Sequence, residues 1–202
     1  MLLYDDAIAP TPRRVRMFLA EKGVDVPRRL VTIGKGEHLS PDYRARVPSG
    51  RVPALELDDG TVISESVAIC RYLEELYPEP NLMGRDAKER ALIEMWQRRM
   101  EFELLLPLAG MFRHTHPKMA ALECQVPAYA KAQKSQAEKR LTLLDRDLGL
   151  TAFIAGDRFT IADITAFTTL TFFPRLCAIT LDAMPNIQRW LASIADRPSA
   201  KA

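Results

Sequence analysis

Three cysteines in 202 residues, Cys70, Cys124 and Cys177, form no Cys-x-x-Cys pair and no metal-ligand spacing with histidine. A disulfide framework, a protein dithiol and a metal site are set aside, and three buried free thiols in a reducing cytoplasm are expected. Charge of one sign is also lacking, since 28 Lys+Arg against 26 Asp+Glu leave +2. So small and dispersed an excess gives no footprint for nucleic acid or an anionic membrane. No apolar run approaches the roughly 18 to 20 residues that a bilayer span needs. The opening Met1-Leu2-Leu3-Tyr4-Asp5-Asp6 lacks the basic-then-apolar layout of a signal peptide, so a cytoplasmic protein without membrane association is expected. Aromatic residues are few at 7%, but 48% apolar residues suffice for one large domain or two small ones.

The chain changes character near residue 80. Before it, Met1 to Tyr4 reads as a strand, and Val15, Phe18 and Leu19 mark a helix from about Pro12 to Lys22 that Gly23 stops. Leu30 to Ile33 reads as a second strand, and 54–57 with 61–63 as a hairpin around Asp58-Asp59-Gly60. Ile69, Leu73, Leu76 and Tyr77 lie on one face of a helix that Pro78 ends. The order β-α-β, a connector with a short helix, then β-β-α implies a parallel pair joined by a right-handed crossover, the element order of a thioredoxin-like domain.

After a linker over 80–85, residues 86–202 read as all-helical. The segment Asp86 to about His114 is helical, with Pro107 expected to kink or break it. A second helix spans Pro127 to Leu148, and a third, Ile161 to about Phe173, is so apolar around its circumference that burial is expected. Thr160 and Asp163 have the spacing of a capping box, and Phe159 with Ile164 that of a hydrophobic staple, which assigns Asp163 to structure.

Three sites carry chemistry in a fold of this kind. Where the first strand meets the first helix, the positive end of the helix stabilises an anion, and Ala9-Pro10-Thr11-Pro12 offers no cysteine and a single hydroxyl, Thr11. On local sequence the favoured reading of Thr11 is a helix cap, with Pro12 at the first helical position. Val52-Pro53 precedes the third strand, where a cis bond would present the Val52 main chain to a peptide-like ligand as an added strand, although X-Pro bonds are mostly trans. Ser64-Glu65-Ser66 opens a helix, either as an ordinary cap or as a seat for an α-amino-acid head group.

Together these residues resemble the cytosolic glutathione transferases over nearly the whole chain. The resemblance is carried by Leu3-Tyr4-Asp5, the run Val15 to Gly23, Pro48 to Leu55 with Val52-Pro53, Glu65-Ser66 followed by Ala68-Ile69 and Tyr72-Leu73, and Thr160-Ile161-Ala162-Asp163. It implies a thioredoxin-like N-terminal domain over 1–79, an all-α C-terminal domain over 86–202, a homodimer, and glutathione as co-substrate without a metal. It also implies a cis Pro53, with the Val52 main chain on the cysteinyl part of glutathione and Glu65 and Ser66 on the γ-glutamyl head. His38, in a Gly-Glu-His-Leu run as in theta-like members, and Arg51 fall near the glycyl carboxylate. The family's usual Ser or Cys aligns with Ala9, and Thr11 falls where nu-like members have a functional Asn, so Thr11 is the candidate to activate the thiol. Met100, Phe102, Leu106 and Phe112, with Glu103, Arg113 and His114, are candidates for an electrophile pocket. The implied activity is thiolate attack on a small hydrophobic electrophile in detoxification. Peroxidase or disulfide-reductase chemistry is an alternative, as is a non-catalytic binding module of the same fold, which Ala9 favours.

Overall fold

A computed structural model describes residues 1–202, which form two compact units: Met1–Asn81 with Pro198–Ala202, and Leu82–Arg197. The last five residues therefore belong to the first unit and not to the all-helical part that the sequence predicts over 86–202.

In the first unit, β1 (Leu2–Asp5), β2 (Arg28–Leu30), β3 (Ala54–Glu56) and β4 (Val62–Ser64) form one sheet in the order β2-β1-β3-β4. β1 and β2 are parallel, Leu3 opposite Arg28, and the other pairs are antiparallel. β2 sits earlier than the apolar run Leu30 to Ile33 suggests. Its three side chains are exposed, as an edge strand permits, while Val31 leaves the strand to join a core of Tyr4, Tyr43, Val47, Val52 and Ala54. The β3–β4 hairpin turns at Gly60, whose φ of 85° is left-handed backbone that glycine enters without steric cost.

α1 (Pro10–Lys22) packs on α3 (Ser66–Leu76) and on the C-terminal turn Pro198–Lys201. Arg13 Nη2 donates to the Ala200 carbonyl at 2.6 Å, and the Ser199 hydroxyl donates to Glu21. Two short 3₁₀ turns and α2 (Pro41–Arg46) connect β2 to β3.

The second unit contains α4 (Ala87–Arg99), a π-helical segment (Met100–Leu105), α5 (Leu106–Thr115), α6 (Pro127–Leu148), α7 (Ile161–Leu176) and α8 (Pro185–Ala195). Pro107 does not break the run, which continues from α4 through the π segment into α5. The wider π turn immediately ahead of it shifts the hydrogen-bond ladder where a donor is missing. Every residue from Ile161 to Leu170 is buried, as the apolar circumference of α7 requires. Asp163 accepts the Thr160 N–H (2.9 Å) and hydroxyl (3.1 Å) on Oδ2, and the Ile154 N–H and Trp190 indole N–H (both 2.9 Å) on Oδ1. Burial pushes this carboxyl up to about 6 against the pull of those four donors. Of the three free cysteines only Cys70 is buried, while Cys177 is half-buried and Cys124 is exposed, against the expectation of three buried thiols. No helix is long and apolar enough to cross a membrane.

Candidate functional site

Sheet register assembles the site in the first unit. Tyr4, near the end of β1, lies opposite Ala54, the first residue of β3, which in turn faces Ser64, the last residue of β4. The loop from β1 into α1, the Val52-Pro53 approach to β3 and the step from β4 into α3 therefore all emerge at one end of the sheet.

The Val52–Pro53 bond is cis. The Val52 side chain is buried in the core, and its main-chain N–H and C=O are bonded to nothing else in the chain. The preceding carbonyl, that of Arg51, is occupied by the Tyr43 hydroxyl at 2.7 Å, and burial raises the Tyr43 phenol to about 12. An extended ligand would thus meet one free donor and one free acceptor at Val52, the pairing capacity of a short strand edge.

The capping readings of Thr11 and Ser64 do not hold. α1 begins at Pro10 with Ala9 as a cap residue that makes no side-chain bond, and Thr11 lies inside the first turn, half-buried. Pro10 and Pro12 have no N–H, and the Arg13 N–H is bonded to the Ala9 carbonyl at 3.2 Å. Thr11 thus supplies the free main-chain donor of this turn and its hydroxyl as well. α3 begins at Ser66, Glu65 is its cap residue, and Ser64 stays in β4.

Glu65 is exposed and held at φ 68°, an uncommon conformation for a residue with a Cβ. Ser66 is buried, and its Oγ accepts from Arg14 Nη1 at 2.8 Å. With its oxygen engaged by a cation, the hydroxyl proton is left to donate elsewhere. Arg14 has no counterpart in the sequence reading, because a buried arginine looks like any other charged residue on a helix. Its spacing inside the Arg13-Arg14-Val15-Arg16 run, with Val15 facing the core, is the one available clue.

His38 lies in the second 3₁₀ turn, and its Nδ1 is buried without a hydrogen-bond partner. Burial and then the Arg44 guanidinium hold the imidazole below its ordinary value, with Asp6 opposing them. A Cβ on Gly50, at φ 59°, would come within 3.1 Å of the His38 carbonyl, so the chain next to Arg51 passes directly against His38. Arg51 itself is exposed.

Among the pocket candidates of the second unit, Met100 is corrected. It is 0% exposed, out of reach of a ligand, and belongs to the helical core. Phe102 and Leu106, four residues apart, are 57% and 54% exposed, and Phe112 is half-buried in ring contact with His116, Phe172 and Phe173. Glu103 pairs with Arg140 (3.2 Å), Arg113 with Glu123 (3.6 Å), and His114 Nδ1 accepts the Val126 N–H (3.1 Å). No group of three or more His, Cys, Asp or Glu is arranged to hold a metal ion.

Residues 9–76 match the model of the glutathione S-transferase N-terminal domain, and residues 104–198 that of the glutathione S-transferase C-terminal domain. The chain is 36% identical to glutathione S-transferase 2 of Saccharomyces cerevisiae, over 100% of this chain and 88% of that protein. It is 34% identical to maleylacetoacetate isomerase of Pseudomonas aeruginosa, over 98% of this chain and 93% of that protein. Among solved structures, a glutathione S-transferase domain-containing protein of Marinobacter aquaeolei superposes with a TM-score of 0.92 at 38% identity, covering 98% of this chain and 99% of that one.

Proposed function

The chain belongs to the glutathione S-transferase family, and from that membership we propose that it binds glutathione in its first unit and directs the thiolate at a small hydrophobic electrophile. The observation that carries this reading is the free main chain of Val52 at the same sheet end as the head of α1 and the Glu65-Ser66 step. The cysteinyl amide and carbonyl pair with Val52, and the γ-glutamyl carboxylate takes the Ser66 hydroxyl and the N-terminal end of α3. Glu65 accepts from the γ-glutamyl ammonium group, and His38 with Arg51 attracts the glycyl carboxylate. The thiol sulfur sits at the first turn of α1, where the helix dipole and both donors of Thr11 favour the thiolate. A free thiol of pKa about 8.5 is mostly protonated at neutral pH, so each unit of downward shift raises the reactive fraction several-fold.

Phe102, Leu106 and Phe112 supply apolar surface for the electrophile. Two copies pair as a homodimer, for which the exposed Leu92 and Met95 on α4 and Leu76 at the end of α3 offer apolar contact.

A second reading, glutathione binding without catalysis, is favoured by Ala9 alone, whose methyl group stands where the resemblance implies the family's usual Ser or Cys. Calorimetric titration with glutathione and its disulfide, followed by a thiol-conjugation assay, separates the two. Binding with conjugation supports the first reading, binding without turnover the second, and no binding overturns both. Attack of the bound thiolate on a mixed disulfide, releasing the second thiol and leaving glutathione disulfide, would indicate reductase chemistry.

A further inference from the structure

We infer that Asp6 is a positioning residue of this site, its two carboxylate oxygens fixing the segment that carries Thr11 to the segment that carries His38. The inference rests on the glutathione reading above and adds a residue to it that touches no ligand.

Asp6 is 6% exposed. Its Oδ1 accepts the N–H groups of Ile8 (2.9 Å) and Ala9 (2.8 Å), and its Oδ2 accepts the Ile33 N–H (2.9 Å). Ile8 and Ala9 lead directly into the first turn of α1, whereas Ile33 opens the pair of 3₁₀ turns that ends at His38-Leu39. One side chain thereby spans the thiol end and the glycyl end of the candidate site. Arg16 holds the same loop through its acceptors, with Nη1 2.6 Å from Asp5 Oδ1 and 2.9 Å from the Asp6 carbonyl, and Nη2 3.3 Å from the Ala7 carbonyl.

Two consequences follow for the chemistry. Because Asp6 takes the Ile8 and Ala9 donors, and Pro10 and Pro12 have none, Thr11 keeps the one unengaged main-chain N–H between Ile8 and Arg13. A loop released from Asp6 would offer the sulfur competing donors in no fixed place. Asp6 also places a negative charge near His38, opposing the loss of its proton. A carboxylate suits both tasks because it has two acceptor oxygens and a charge, where an amide or a hydroxyl has one acceptor oxygen and no charge.

Asp6→Asn separates the tasks. Its oxygen takes the converging pair Ile8 and Ala9, its NH₂ is turned on the Ile33 N–H, and the charge is gone. Glutathione affinity by calorimetry should fall about tenfold, the scale of one lost charge-assisted bond, while kcat at saturating glutathione is retained. Asp6→Ala loses both ties and should lose affinity and kcat together. In the ligand-free protein, the His38 imidazole followed by NMR should titrate lower in Asp6→Asn than in the parent. A parent that binds no glutathione overturns the functional reading and this inference together. A parent that binds, with affinity, kcat and the His38 titration unchanged in Asp6→Asn and only the melting temperature lowered, overturns the Asp6 inference alone.

Discussion

Arg14 on α1 and Ser66 on α3 are joined inside the first unit by a hydrogen bond of 2.8 Å from Nη1 to Oγ, with 2% and 5% of their surfaces exposed. The contact holds the first turn of α3 against α1 and orients the Ser66 hydroxyl as a donor.

Replacing Ser66 with Ala removes that acceptor and the donor it orients. A hydrogen bond to a charged group contributes about 1.5 to 3 kcal/mol, so both the melting temperature and glutathione affinity should fall. Thermal denaturation and calorimetry on the same preparation check this. Unchanged affinity in a folded variant would remove Ser66 as the γ-glutamyl anchor.

Asp163 should prove structural and costly to lose. Asp163→Ala strands the buried Ile154 and Thr160 N–H groups and the Trp190 indole, at about 1 to 3 kcal/mol for each unsatisfied donor, well beyond the loss of a surface cap. Urea unfolding should show this, with glutathione affinity per folded molecule intact. The pH dependence has a definite sign. Burial raises the native carboxyl to about 6 from 3.8, so the native state binds a proton more tightly than the unfolded chain. This group's stabilisation is present below pH 4 and is lost as pH rises through 6. In Asp163→Asn that slope should vanish, and its persistence would assign it to other groups.

Thr11→Val keeps the shape of the side chain and removes its hydroxyl. The bound glutathione thiol should then titrate higher and conjugation near neutral pH should slow, while tripeptide affinity stays largely intact. Ala9→Ser should act in the opposite direction. Thiolate absorbance against pH measures both, and three identical titrations would leave the Thr11 N–H and the helix dipole as the stabilising groups.

The chain, 22.8 kDa as a monomer, should scatter light as a species of twice that mass at micromolar concentration. A charge at exposed apolar Leu92 or Met95, as in Leu92→Glu, should shift it toward the monomer. A monomeric parent would sink the dimer.

Local chemistry made much of the fold legible. α6 begins and ends where Pro127 and Gly149 place it, α3 stops ahead of Pro78, and the Thr160–Asp163 spacing announces the start of α7. A signal for α8 was present and unused: Ile187, Trp190 and Ile194 lie on one helical face behind Pro185, and all three are fully buried. The bounds of β2 were not legible, because an exposed edge strand has no apolar pattern of its own and takes its register from β1.

For the site, the sequence by itself determined which groups are available: one hydroxyl between two prolines at the head of α1, a Val-Pro step, and a Glu-Ser step ahead of an amphipathic helix. These follow from residue type and short spacing, which the backbone carries in one dimension. Only the tertiary structure decided that Ala9 caps α1 while Thr11 lies within it, that Ser66 rests on Arg14, and that Asp6 joins loops 27 residues apart. Buried charges of this kind read as surface residues in a sequence, because desolvation is offset only by partners that sheet register and helix packing bring from distant parts of the chain.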